Sequence, residues 1–501
     1  MNKGTIFGIA LAVVLAFCGS ALAQPDSLWS STFGGPGQDS LWDVIRTADG
    51  GWGLVGYVTA RDQRAMDLVQ VKLDADFNVV MHHEVDFSGA NDEGHGIAET
   101  PDGGFLVAGY TSAAPGSNRR AAVIIRTDVE GAEQWIHVMD DVEYSTAYSA
   151  VVRPNGDLAI GGALYPGNDW QDDFAIWTGL ANGDQGWNNH YGVANRGEWG
   201  LSLINTADGG LLLAGQAMEF GDEGVDSAFA MVVKTNADGA EQWRRCYGDP
   251  NSISWAMQVI PTRDGGYAFL GATGGSDPDS GVTDWDVWLV NINAQGETLW
   301  SRRYDMGHDE WGMGITQLAD GGFVMVGAVG ENDEMVMNNC DCGLMRVDDE
   351  GNEIWHTSFR GANHDFGMRV FSTADGGYLI GGTTSSIGAG ECDLWLLKTG
   401  ADPVSVPSES PTHSSLFTLH SAFPNPFNSS TTISYNLARP GFVRLGVYDL
   451  DGRLVGTVKE GYAGAGKYSE VWNGEGVGSG TYFLNLEAGG ETMVKPVMLV
   501  R

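Results

Sequence analysis

Seven positions spaced 53, 53, 53, 56, 56 and 55 residues apart carry most of the chemistry this chain offers: Asp39, Asp92, Ser145, Glu198, Ser254, Glu310 and Asp365. Five of the seven are carboxylic. The next residue is aromatic in four repeats (Trp199, Trp255, Trp311, Phe366), and the one after it is small in six (Gly94, Ala147, Gly200, Ala256, Gly312, Gly367). Acids beside aromatics around one mouth can hold a cation, a cationic peptide or a glycan. The ligand-binding candidates are therefore Asp39, Asp92, Glu198, Trp199, Trp255, Glu310, Trp311 and Asp365. A plainer explanation competes: a carboxylate that accepts N–H bonds within its own loop recurs wherever the loop recurs. Because catalysis usually breaks a repeat's symmetry, the column favours the structural explanation and names no catalytic residue.

Other chemistry is thinner. A second acidic column (Asp67, Asp173, Asp286, Asp341, Asp393) has the same repeat-borne character. The stretch 277–281 alternates oxygen donors at Asp277 and Asp279, as Ca2+ prefers, but lacks a complete EF-hand loop. Longer acidic loops at 168–173, 222–226, 277–286 and 331–334 share the presumed ligand face. His95, His308 and His364 come near that face, where core or surface roles compete with binding. Paired carboxylates for glycoside hydrolysis are unreadable among 65 acids, and no Gly-x-Ser-x-Gly nucleophile motif occurs. Turns such as 128–135 and 348–355 are similar to the tryptophan-docking repeats of quinoproteins, but the longer period argues against that family.

The elements that place these residues follow from the repeat. Asp49-Gly50-Gly51 returns at 102, 155 (as Asn-Gly-Asp), 208, 264, 320 and 375, with Thr two positions upstream in five copies. Asp-Gly supplies the positive φ of a tight hairpin. Each unit divides into four strands: an inner one before the turn, a nearly continuous apolar one after it, a third running from Asp to Lys or Arg, and a fourth opening with Trp135, Trp187, Trp243, Trp300 or Trp355. Continuous apolar runs fit sheets covered on both faces. An all-β, seven-bladed β-propeller is predicted over residues 24–398, in preference to a parallel β-helix. Residues 29–33 match a fourth strand and precede the first turn, whereas the last repeat stops after its third strand, so the chain start should complete the final blade. These repeats resemble those of secreted bacterial β-propeller proteins, a resemblance that implies fold and export more than activity.

Residues 399–415, with Pro403, Pro407 and Pro411, read as a linker, and 416–501 as a small Ig-like β-sandwich with strands near 431–436, 443–448, 454–458, 468–472, 481–486 and 493–500. The tail resembles the type A C-terminal sorting domain of the type IX secretion system. The match lies in 423–428 (Pro424, Asn425, Pro426, Phe427), 447–453 (Tyr448, Asp449, Gly452, Arg453), 479–483 (Gly480, Tyr482) and a basic-ended last strand. The resemblance implies engagement of the outer-membrane translocon, removal of the tail, and release or attachment at the cell surface.

Composition agrees with export. Residues 1–23 read as a signal peptide, with Lys3, an apolar stretch over 7–17 and Ala21-Leu22-Ala23 before Gln24; Phe17 ahead of Cys18 argues against a lipoprotein. No later apolar run approaches bilayer-spanning length. Against 65 acids there are 27 bases, a net charge of −38, which excludes nucleic acid as partner. The tail is charge-balanced, so the negative field belongs to the propeller. Cys246, Cys340, Cys342 and Cys392 are too sparse for a disulfide framework; Cys392 with Cys340 or Cys342 is the one pairing the repeat allows. The functional expectation is a secreted or surface binding module. An extracellular polysaccharide enzyme and a structural surface protein are the alternatives.

Overall fold

The computed structural model describes residues 25–59, 65–87, 89–112, 120–139, 144–165, 172–179, 182–193, 196–221, 224–250, 252–276, 283–306, 309–330, 340–402, 417–419, 427–437, 441–448, 453–474, 476–488 and 491–499. The predicted signal peptide, Asp277 and Asp279 lie outside them, as do Pro424, Asn425, Pro426, Asp449 and Gly452 of the tail. The chain divides into two compact units, Met1–Ser408 and Glu409–Arg501.

The first unit is a closed seven-bladed propeller. Its inner strands are Ser40–Arg46, Asp92–Glu99, Tyr144–Val152, Arg196–Asn205, Ile253–Pro261, Glu310–Gln317 and Asp365–Ser372, and each heads a four-stranded antiparallel blade. Each inner strand packs against the next, and the seventh packs against the first. Blades 4 and 5 are additionally joined by one parallel bridge between Ala228 and Ile253. Closure occurs in blade 7, where Ser27–Phe33 pairs antiparallel with Asp393–Thr399, Trp29 opposite Lys398. The strand that opens the chain thus fills the outer edge left by the last repeat.

Three recurring devices hold the wheel together. The glycine of each Asp-Gly turn has positive φ, from 80° at Gly209 to 95° at Gly321, where a Cβ would be strained. The base that ends a third strand reaches back to the turn acid of its own blade: Lys72 to Asp49 at 2.7 Å, Arg126 to Asp102 at 2.5 Å, Lys234 to Asp208 at 2.5 Å and Lys398 to Asp375 at 2.9 Å. These side-chain amines and guanidinia are buried while the acids stay half-exposed, so the long stems pack in the blade and the charge meets its partner at the rim. Lastly, the fourth-strand tryptophan of one blade lies over the positive-φ glycine in the outer turn of the next: Trp135 on Gly183, Trp187 on Gly239, Trp243 on Gly296 and Trp300 on Gly351. Only glycine leaves room for the ring at that distance.

Blade 7 has no such outer turn, because its third and fourth strands come from opposite ends of the repeat array. Asp402 replaces it. Trp355 Nε1 donates to Asp402 Oδ1 at 3.1 Å, and the Tyr378 hydroxyl donates to Oδ2 at 2.5 Å. Arg346 Nε lies 2.8 Å from Asp402 Oδ2 with its N–H out of line, an ion pair more than a hydrogen bond.

The second unit is a two-sheet β-sandwich. Phe417–Leu419, Ser430–Leu437 and Gly466–Asn473 form one sheet; Leu454–Ala463, Gly441–Tyr448, Gly480–Ala488 and Glu491–Leu499 form the other. Ile433, Tyr435 and Trp472 from the first meet Val443, Leu445, Leu484, Leu486 and Leu499 from the second in one core. Phe427 and Tyr482, both named by the sequence motif, flank Trp472 with ring centroids 5.2 and 5.6 Å away. Tyr448 is half-buried, and Arg453 and Gly480 are exposed.

Candidate functional site

Every inner strand of the propeller carries a β-bulge at the same place. The pairing with the second strand skips one residue in each blade: Trp42, His95, Tyr148, Leu201, Met257, Met313 and Met368. A bulge leaves the extra residue outside the ladder and re-aims its side chain. Here all seven point to the axis and line a cavity of about 380 Å³. One tier nearer the strand entry, Trp199, Trp255, Trp311 and Phe366 join the same wall. Trp255 packs edge-on to Trp311 at 5.7 Å and against Trp285 at 4.6 Å, so the aromatic arc is stiff. Trp199 is fixed by its Nε1, which donates to Asp172 at 2.7 Å.

In five of the seven blades, all but those with Gly96 and Gly314, the residue after the bulge stitches neighbouring blades. Asp43 Oδ2 accepts from Ile97 N at 3.1 Å, Ser149 Oγ from Leu203 N at 3.1 Å, Ser202 Oγ from Val259 N at 3.1 Å, and Gln258 Oε1 from Ile315 N at 2.7 Å. Across the closure, Arg369 Nε donates to Asp43 at 2.7 Å. The cavity wall therefore has little freedom to collapse.

The cavity is chemically lopsided. The bulge residues of blades 4 to 7 are Leu or Met, with Gln216 and Arg369 as polar neighbours on that side, while blades 1 to 3 contribute Trp42, His95 and Tyr148. Behind His95 stands Glu93, whose Oε2 is 3.3 Å from His95 Nε2 but out of line for a hydrogen bond. The Tyr110 hydroxyl donates to Glu93 Oε1, and the Arg120 guanidinium lies 4.1 Å above the Tyr110 ring. His95 is sandwiched by rings, 4.4 Å from Trp42 and 5.1 Å from Tyr148. Burial favours neutral Glu93, but His95 and Tyr110 together hold its carboxyl below the usual range. Burial pushes the Tyr148 hydroxyl far above its ordinary value, and burial with the Glu93 contact does the same for Tyr110.

The acidic column lies elsewhere. Asp39, Asp92, Glu198, Glu310 and Asp365 are at most 3% exposed and do not line the cavity. Their oxygens turn into the entry loops. Thr59 N donates to Asp39 at 2.8 Å, Phe87 N to Asp92 at 2.7 Å, Val193 N to Glu198 at 3.1 Å, and the Ser386 hydroxyl to Asp365 at 2.7 Å. Burial pushes Asp39 and Asp92 upward and lifts Glu198 to about 8. Of the sequence-derived ligand candidates, Trp199, Trp255 and Trp311 meet in the cavity and the acids do not. Apart from His95, which the sequence places near this face, the bulge residues were missed, because an inserted residue has no signature in a period-2 pattern. Among the described residues Cys246, Cys340, Cys342 and Cys392 are all free thiols; Cys340 touches the cavity wall and Cys342 is fully buried.

No curated protein matches the chain by sequence. Among solved structures, an ulvan lyase described as a new family of polysaccharide lyase is similar at a TM-score of 0.48 and 8% identity, covering 74% of this chain and 97% of that one. The polysaccharide lyase Uly1 is similar at 0.43 and 12% identity, covering 73% and 90%, and the Pan2 WD40 domain of Neurospora crassa at 0.37 and 8%, covering 61% and 89%. At these values the likenesses carry no argument about ligand or reaction. No helix among the described residues is long and apolar enough to cross a membrane. Residues 421–500 match the secretion system C-terminal sorting domain family. The second unit is thus a sorting domain of the type IX secretion system, and it directs the protein to the cell surface or the extracellular space.

Proposed function

We propose that the exported propeller is a binding module whose axial cavity takes the ring face of a glycan. The observation that carries this reading is the convergence of one bulge side chain from every blade, capped by the Trp199, Trp255, Trp311 and Phe366 arc, on one cavity of about 380 Å³. That volume suits one or two sugar rings, and rigid aromatic walls suit their C–H faces. A cationic peptide would need the acids that the loops have buried, so this ligand class loses its support. Titration of the full-length protein with defined oligosaccharides, followed by tryptophan fluorescence, tests the proposal. Binding should weaken at least tenfold in Trp255→Ala. A blank glycan array with properly folded protein overturns it.

A second reading, an enzyme acting on polysaccharide, is favoured by one observation: the Glu93, His95, Tyr110 and Tyr148 group breaks the sevenfold repetition of the cavity. An imidazole backed by a carboxylate can take a proton, and the tyrosine packed edge-on to it can return one. Release of new reducing ends from algal or plant polysaccharides, lost in His95→Ala, supports catalysis. Glycan binding that survives without any chain cleavage supports the binding module.

A further inference from the structure

At the junctions between blades, the acid that opens a third strand comes up beside the acid that opens the next inner strand: Asp67 with Asp92, Asp173 with Glu198, Asp286 with Glu310, and Asp393 with Asp39. Like charges in a buried junction repel. At several junctions the end of the fourth strand brings a basic side chain. His190 Nδ1 is 2.7 Å from Asp173, Arg303 Nε is 2.9 Å from Asp286, and Arg360 Nε is 3.2 Å from Asp341.

The blade 1 to 2 junction differs. Strand register puts Val85 opposite Leu68 as it puts Phe359 opposite Cys342, so Asp86 occupies the position that Arg360 holds in blade 6. A third acid stands where the other blade has a base. Asp67, Asp86 and Asp92 each bring a carboxylate oxygen within 4.8 Å of the other two. Asp92 is fully buried; its Oδ2 accepts the Phe87 N–H and the Thr111 hydroxyl stands beside the carboxyl, while its buried Oδ1 accepts no hydrogen bond of ordinary geometry. A buried carboxylate oxygen left without a donor is costly, and two further negative charges beside it make it costlier.

We propose that this junction binds one Ca2+ through Asp67, Asp86 and Asp92. The donors are all oxygen, as a hard cation requires, and oxygens about 2.3–2.6 Å from a central ion stand up to roughly 5 Å apart, which the observed spread matches. Asp86 is exposed, so the ion has an entry path and room to keep water ligands. The equivalent trio at the blade 5 to 6 junction, Asp286, Asp305 and Glu310, already holds the Arg303 guanidinium and serves as an internal control. The site stands apart from the axial cavity, and neither reading depends on the other.

The test uses the full chain, stripped with chelator and titrated with CaCl₂. Elemental analysis should find one Ca2+ per chain, and the melting temperature should rise by about 3 °C at saturation. Asp86→Asn removes one of the repelling charges, so it should not lower the metal-free melting temperature, and it should weaken Ca2+ at least tenfold; Asp305→Asn should leave Ca2+ affinity intact. The proposal is overturned if Ca2+ produces no rise, if Asp86→Asn titrates like the parent, or if Asp305→Asn and not Asp86→Asn removes the effect.

Discussion

Asp402 is the residue on which ring closure can be tested most directly. It is 3% exposed and receives Trp355 Nε1, the Tyr378 hydroxyl and the Arg346 guanidinium, joining blades 6 and 7 just past the last repeat strand. Asp402→Ala strands two buried donors and leaves Arg346 with Asp320 as its remaining carboxylate. Breaking a buried pair costs about 3–5 kcal/mol, and the surviving Asp320 contact places this one near about 3 kcal/mol. For a unit of roughly 380 residues the unfolding entropy is about 0.8 kcal/mol/K, so the melting temperature should fall by about 4 °C. Asp402→Asn keeps one acceptor oxygen for Trp355, and its amide can donate to the Tyr378 hydroxyl, so it should lose about half as much. The double variant Arg346→Met with Asp402→Leu removes both charges and should recover the share of the loss that comes from the uncompensated guanidinium, while Trp355 and Tyr378 still lack their acceptor. Scanning calorimetry on all four proteins is the assay. A fall under about 1 °C in Asp402→Ala, or a double variant as unstable as the single, refutes the latch.

Other parts of the propeller give further expected outcomes. Glu198 titrates near 8 when folded and 4.5 when unfolded, so the folded chain holds an extra proton between these values and stability falls as pH rises through that window. Glu198→Gln should match the parent at pH 4.5 and exceed it at pH 9 by about 2 kcal/mol, the ceiling from the shift roughly halved for solvent screening; parallel pH profiles in urea denaturation would contradict this. Gly239 has φ of 81° and a Cβ there would meet the Trp187 ring at 2.6 Å, so Gly239→Ala should cost about 2–3 kcal/mol by chemical denaturation, against near neutrality at Gly209, where nothing lies within 4 Å beyond the backbone strain of about 1 kcal/mol. Deleting Ser27–Phe33 should expose the edge of Asp393–Thr399 and produce concentration-dependent aggregation in light scattering, whereas a monodisperse product would show that closure is dispensable.

Legibility in the sequence tracked how local each cause is. Asp-Gly turns declare themselves because only glycine accepts their φ, and the fourth-strand tryptophans because a large ring recurs at fixed spacing. Closure of blade 7 was readable from a strand too many at one end and one too few at the other. Direction was not readable: Asp92 and Trp199 sit in adjacent columns, yet one turns into its loop and the other onto the cavity, a choice made by donors such as Phe87 N that no residue code reveals. His95 was marked only as approaching one face, and its partnership with Glu93 depends on a bulge that shifts the pleat by one residue. Asp86 went unremarked because its meaning lies in strand register against Arg360, across more than two hundred residues.

The pairing of Ser27–Phe33 with Asp393–Thr399 has a consequence for the order of events during export. The segment synthesised ahead of the first blade is the partner of a strand that follows it by some 360 residues. Until then the first blade has no finished neighbour on one side, and the wheel is an arc with two sticky rims. Assembly of the wheel is therefore gated by the last repeat, and any pause before Asp393 is available leaves an unclosed body with exposed strand edges open to aggregation.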